Sequence, residues 1–323
     1  MNFFLFLLLK CKKNVEFYDI IIKGDKMSKT FSQNEHKILS MLGMCKGFNY
    51  NNKHYEIKII GKPTSSSGEP KTDIYIYAES EDDNLEFKIS FKQQNYEFLE
   101  NKMSDSRAKE IFGDDWSNII KTSLNNIGDT FKKKKLIYKA KRGKTPAGSF
   151  TLGWKFELLN VPSGALSGEI VLSYEQLYDV YAGSNLSDDK KNAMVNGNRI
   201  PESGVANCIL IDDDYESVDD MISQIVKMDE YLEGHQKIYF ACKALNYRSL
   251  DKKYDGNRPL SVYVKWDIID GKLSGEPCFD EPLIHRGNEI YNNLIRCLNE
   301  LGIENTTDIS ENNAWSDIVD EEE

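Results

Sequence analysis

The chain has 323 residues, 40% of them apolar and 11% aromatic, with a formal net charge of −11. That content supplies the core of two modest domains and excludes global disorder. Eight acids and no Lys or Arg lie between Glu304 and Glu323, so the rest of the chain carries about −3, a balance that neither excludes nor favours a nucleic-acid partner.

The first segment, MNFFLFLLLKCKK, has an apolar run, Phe3–Leu9, that is far too short to span a bilayer, and no positive charge precedes it. Residues 1–26 are expected to be an upstream extension or a mis-set start ahead of Met27, with a membrane anchor as the alternative, and no membrane partner is expected. Ser32 as N-cap, Glu35 at the third helical position and Ile38, Leu39, Met41 and Leu42 behind it predict a helix. Strands are predicted at 55–61, 72–79 and 85–93. In the second of these Ile74 and Ile76 share one face, with Asp73, Tyr75 and Tyr77 on the other. In the third, Phe87, Ile89 and Phe91 point inward and Lys88, Ser90 and Lys92 outward. Helical spacing follows at 95–103 and 105–125.

Eight basic residues fall within 131–144 and mark an expected domain boundary. Beyond it, strands are predicted at 149–158, 167–173, 205–211, 237–245 and 260–268, and helices at 174–182, 218–232 and 287–301. Turn signals stand at 196–198, 255–257 and 270–272. The expected organisation is a first α/β domain at 27–130, an α+β domain for recognition or oligomerisation at 131–301, and a flexible acidic tail at 302–323. Six cysteines stand singly without metal-site spacing and four histidines are dispersed. This argues against zinc and for reduced thiols in the cytoplasm.

The segment that carries chemistry runs from Gly68 to Glu100. An acid, Asp73, begins one strand, and Lys92 lies on the next. Phosphodiester hydrolysis needs a cation to polarise the phosphate and acidify a water, and a group to manage protons or charge. Hard cations take oxygen ligands, often one or two carboxylates with retained waters. Asp73 suits a first ligand, the Phe91 carbonyl a second, and Lys92 the orientation of water or the neutralisation of charge.

Pro70-Lys71-Thr72-Asp73 followed by Ser90-Phe91-Lys92 resembles the paired motif of the PD-(D/E)XK nuclease superfamily, the fold of many restriction endonucleases. The resemblance covers residues 30–125. It implies a restriction-endonuclease-like mixed sheet flanked by helices, and a metal-dependent endodeoxyribonuclease similar to type II restriction endonucleases. It further implies Mg²⁺ or Mn²⁺ as cofactor, double-stranded DNA as substrate, and a homodimer to cut both strands. Ser90 departs from the pattern, standing where the family has Asp or Glu. The missing acid is then recruited from Glu35, Glu69, Glu97 or Glu100, with Glu35 preferred because a first-helix acid near the metal is common among relatives. Gln94 and Asn95 would add polar contacts to metal waters or the scissile phosphate.

Lys132, Lys133, Lys134, Lys135, Lys139, Lys141, Arg142 and Lys144 are the candidate backbone-binding cations, and Arg248 and Arg258 in a later polar loop join them. A solvated helix end and linker is the plainer reading of the lysine run. Asp212-Asp213-Asp214 lacks the glycine and spacing of a calcium loop and reads as helix N-terminal acid. The alternative to the nuclease is a non-catalytic binding protein, for nucleic acid or protein, in which the hairpin is structural.

Overall fold

Asn51 and Asn52 both adopt positive φ (50° and 62°), the two-residue turn whose twist matches that of paired strands. They join β1 (Gly47–Tyr50) to β2 (Lys53–Gly61). The computed structural model describes residues 33–94, 96–101, 103–211 and 215–320. Expectations for residues 1–26, Ser32, Asn95 and Asp212–Asp214 lie outside the described residues.

The chain is mixed α/β and divides into two units, each built from two stretches of sequence. The first takes the chain up to Tyr96 together with Leu177–Gln236, and the second takes Glu97–Gln176 with Lys237–Glu323. The boundary expected at 130/131 therefore falls inside the second unit. The basic run there is the end of a helix, Gly128–Lys132, followed by a short strand, Ile137–Tyr138, that pairs with Ser149–Leu159.

In the first unit, α1 (Gln33–Met44) precedes the meander β1, β2, β3 (Ile74–Glu79) and β4 (Asn84–Lys92). The strand Cys208–Ile211 then pairs parallel to β4, and Val226–Lys227 closes the edge of a six-stranded sheet. A parallel neighbour requires a long connection. Here that connection leaves to build the first stretch of the second unit and returns through the helix Tyr174–Ala182. Register sets Ile74 opposite Ile89 and Ile76 opposite Phe87, so these apolar side chains share one face. Ile38 and Leu42 of α1 and Met221 and Ile222 of the helix Val218–Ser223 join them in one core. Full burial of each such side chain contributes about 1.5–3 kcal/mol. The opposite face is covered as well, against the half-exposed sheet expected from alternation: Tyr75 is 2% exposed and Ser90 0%. At the edge of β4 the side chain of Asn207 accepts from Lys88 N–H (2.8 Å) and donates to the Glu86 carbonyl (2.9 Å), extending the parallel pairing that Cys208 begins.

In the second unit, five strands run in the order 253–254, 238–248, 149–159, 262–269 and 272–278, with shorter strands beside them. Its buried rings include Phe131, Phe150, Phe156, Phe240 and Trp266. The helix Gly287–Glu300 lays Ile290, Leu294, Cys297 and Leu298 against the sheet. Asp270 and Gly271, both at positive φ (52° and 72°), turn the hairpin at the position of the DGK signal.

Three helix expectations are corrected. Residues 95–103 hold a strand, Phe98–Glu100, that pairs with Ser149–Leu159 and buries Leu99. The 105–125 helix is two, Asp105–Phe112 and Trp116–Asn125, because Gly113 at φ 75° ends the first. The 218–232 helix is interrupted by Val226–Lys227, which pairs with Cys208–Ile211. Over residues 302–320 the acidic segment is packed, not the flexible tail expected. Ile303, Ile309, Ala314, Ile318 and Val319 are buried, and Val319–Asp320 forms a parallel strand with Ile137–Tyr138. Apolar residues at irregular spacing carry no periodic signal, so acid content alone masked them.

His285, just before the helix Gly287–Glu300, bonds two carboxylates: Nε2 lies 2.8 Å from Glu281 and Nδ1 2.9 Å from Glu289. Burial alone would lower its pKa, but the two carboxylate bonds together raise it above the ordinary value. Its stabilisation is complete below about pH 6.5 and is lost as pH rises through the raised folded value. His285→Asn should therefore flatten the fall in Tm above that pH by about 2–4 °C, read by calorimetry across a pH series. An unchanged pH profile would refute this clasp.

Candidate active site at one end of the first sheet

β2 runs antiparallel to β3, and β3 to β4. The end of β2, the start of β3 and the end of β4 therefore meet at one end of the sheet. Lys62 directly follows β2, Asp73 directly precedes β3, and Lys92 is the last residue of β4. Glu35 lies in the first turn of α1.

Asp73 is fixed by both its backbone and its side chain. Its N–H donates to the Ile89 carbonyl (2.8 Å), and its Oδ2 accepts from Phe91 N–H (2.8 Å). One further step of the β3–β4 register sets Asp73 opposite Ser90. Burial pushes the Asp73 pKa above the ordinary carboxylate value; Lys92 opposes this, Glu35 adds to it, and the Phe91 N–H and Lys62 oppose it. Glu35 Oε2 accepts from Lys62 Nζ at 2.7 Å, with side chains only 13% and 10% exposed. Two carboxylates and two ammonium groups thus form one electrostatic neighbourhood at the strand ends.

Two buried hydroxyls neighbour Asp73 along and across the strands, and in strand alternation Ser90 shares its face while Thr72 falls on the face of Ile74. Thr72 precedes Asp73 and is 1% exposed; Ser90 lies across from it and is 0% exposed. Neither Thr72 Oγ1 nor Ser90 Oγ has a hydrogen-bond partner among the described residues. A buried unsatisfied hydroxyl is costly, so the face that carries Asp73 and Ser90 is suited to an added donor or cation.

The other expected residues divide clearly. Glu69 is exposed in the loop before β3, and Gln94 is exposed in the turn after β4. Glu100 is engaged by Arg107 (2.9 Å) in the second unit, where exposed Glu97 also lies. The structure thus brings Glu35, of the four acids weighed, to act on Asp73. Lys62 was missed. Nothing in the sequence separates Lys62 from other surface lysines; its partner is set by where β2 ends.

The basic candidates all belong to the second unit. Lys132 pairs with Asp129 (3.4 Å), Arg142 with Asp320, and Arg248 with Asp255 (3.3 Å) and Asp251 (3.6 Å). Lys133, Lys141, Lys144 and Arg258 are exposed, and Lys134, Lys135 and Lys139 are partly buried.

The thiols of Cys208 and Cys242 are pushed by burial up to about 12, a range in which neither is a ready nucleophile or ligand. Among the described residues no three His, Cys, Asp or Glu side chains gather as a metal cage. Mg²⁺ does not require one; one or two carboxylates with retained waters suffice. Asp73 and Glu35, with the orphaned Ser90 hydroxyl, fit that donor chemistry.

Among the described residues no helix is long and apolar enough to cross a membrane. Comparison of the chain with protein-family models, curated proteins and solved structures gives no match.

Proposed function

We propose that this chain is a Mg²⁺- or Mn²⁺-dependent endodeoxyribonuclease, with a first unit of the restriction-endonuclease-like kind. The observation that supports it most is Asp73. It is held at the start of β3 by Phe91 N–H, across from Ser90, and bears the charges of Lys92 and Glu35. The helix, antiparallel four-strand meander and parallel fifth strand also agree with a mixed sheet of that kind.

In this reading Asp73 and Glu35 would hold the cation, which when bound would polarise the scissile phosphate and acidify a water. The chain's own residues do the rest. Phe91 N–H fixes one Asp73 oxygen and so orients the carboxylate. Lys92 offsets negative charge that builds on the phosphate, or orients the attacking water. Exposed Lys133, Lys141, Lys144 and Arg258 would contact the phosphate backbone without reading sequence.

Incubation with long, sequence-diverse duplex DNA and Mg²⁺ or Mn²⁺ tests the proposal, with RNA as a parallel arm. Metal-dependent DNA fragments are expected, and discrete bands would add sequence preference. Cutting of RNA alone would change the substrate class. Cleavage of both strands calls for two sites, so sizing with light scattering should give twice the chain mass; a monomer would remove the dimer from the proposal.

The second reading, a non-catalytic binding protein, is favoured by Ser90, whose hydroxyl is wholly buried where the resemblance expects an acid. Failure of well-folded protein to cut several DNAs and an RNA would select it.

A further inference from the structure

Lys62 has no role in the reaction just described, yet it is bonded to Glu35. Its ammonium lies 2.7 Å from Glu35 Oε2, its side chain is 10% exposed, and its charge also acts on Asp73. A nearly buried ammonium is costly unless an anion compensates it. Glu35 and Asp73 in turn disfavour each other's charge, and a nearby cation offsets that. Lys92 acts on Asp73 too, but Lys62 is bonded directly to Glu35 as well. Lysine suits a replaceable cation, being a compact point charge on a flexible stem, unlike the planar fork of arginine. Lys62 is also the first residue beyond β2, past the last paired position, Gly61.

We propose that Lys62 is an internal counter-cation that holds the divalent-cation seat at Glu35 and Asp73, so that metal binds by exchange with the Lys62 ammonium. The inference rests on the reading of Asp73 and Glu35 as metal ligands. Lys62 is thus a positioning residue that sets metal affinity and keeps two half-buried carboxylates compatible when metal is scarce. If the lysine holds the seat about nine-tenths of the time, the apparent affinity for metal is weakened about tenfold.

The test is calorimetric titration of the full chain with Mn²⁺, without DNA, so that activity is not the readout. Lys62→Met should bind Mn²⁺ about tenfold more tightly than wild type, and its metal-induced rise in Tm should be larger. Lys62→Gln, which keeps a donor for Glu35 without the charge, should do the same, and Lys62→Arg should bind no more tightly than wild type. Wild-type or weaker affinity in both neutral variants, while Asp73→Asn loses binding, would overturn the exchange and leave the metal site standing. Full-strength binding by Asp73→Asn and Glu35→Gln, or no binding by any protein, would overturn the metal-site reading itself. Unfolding of both neutral variants would also overturn the exchange, because the lysine would then be structural.

Discussion

Asp73→Ala and Lys92→Ala each abolish metal-dependent cleavage of duplex DNA. The loss is about 10³-fold or more for Asp73 and about 10²–10⁴-fold for Lys92. A 10³-fold loss corresponds to about 4 kcal/mol of transition-state stabilisation. Asp73 is the more sensitive position because it would hold the ion and also accepts Phe91 N–H at the strand end. Lys92 acts on the same carboxylate through charge, so the two substitutions should not be additive. Full activity in Asp73→Ala would remove the site from this end of the sheet.

Asp73→Asn separates a site residue from a structural one. Burial raises the Asp73 pKa above its unfolded value, so the folded state binds the proton more tightly. Between the two values stability falls as pH rises, and above both the ionised carboxylate costs folding energy. Asn removes that cost and can still accept from Phe91 N–H. The metal-free variant should therefore melt about 2–4 °C higher than wild type at neutral pH while losing all cleavage. A lower Tm would mean that Asp73 serves as a strand cap and would favour the binding protein.

The strands that carry Asp73 and Lys92 were legible because alternating Ile74, Ile76, Phe87, Ile89 and Phe91 identify one buried face. β1 was not, although Asn51-Asn52 between GFNY and KHYEI is the two-residue turn that marks a hairpin. The closeness of Glu35 and Asp73 depends on where α1 meets the strand ends, and no spacing within either element encodes it. Lys62 was illegible for the same reason, since a lysine's partner is decided by tertiary placement. The two-unit division failed because contiguity was assumed: nothing local to Tyr96 or Leu177 signals that the chain leaves the first unit and later returns.

The second large effect concerns the C-terminus. Removal of residues 303–323 should destroy cooperative folding of the second unit. Ile303, Ile309, Ile318 and Val319 are 3%, 3%, 7% and 8% exposed. At about 1.5–3 kcal/mol each, an upper bound for folding, their loss approaches the whole stability of a domain, about 5–15 kcal/mol. The backbone loses partners too: Leu136 N–H donates to the Ile318 carbonyl (2.9 Å) and Leu273 N–H to the Asn313 carbonyl (2.7 Å). The acids have local duties, as Asp308 accepts from Glu304 N–H (2.9 Å) and Asn305 N–H (3.0 Å). Ile309→Ala alone should cost about 2–5 kcal/mol, and Asp308→Ala about 0.5–2 kcal/mol. Glu304→Gln and Glu311→Gln should be nearly neutral, because surface charge away from caps contributes little. Calorimetry on these variants ranks apolar burial against charge. A truncated chain that melts like wild type would restore the view of this segment as a solvated acidic tail.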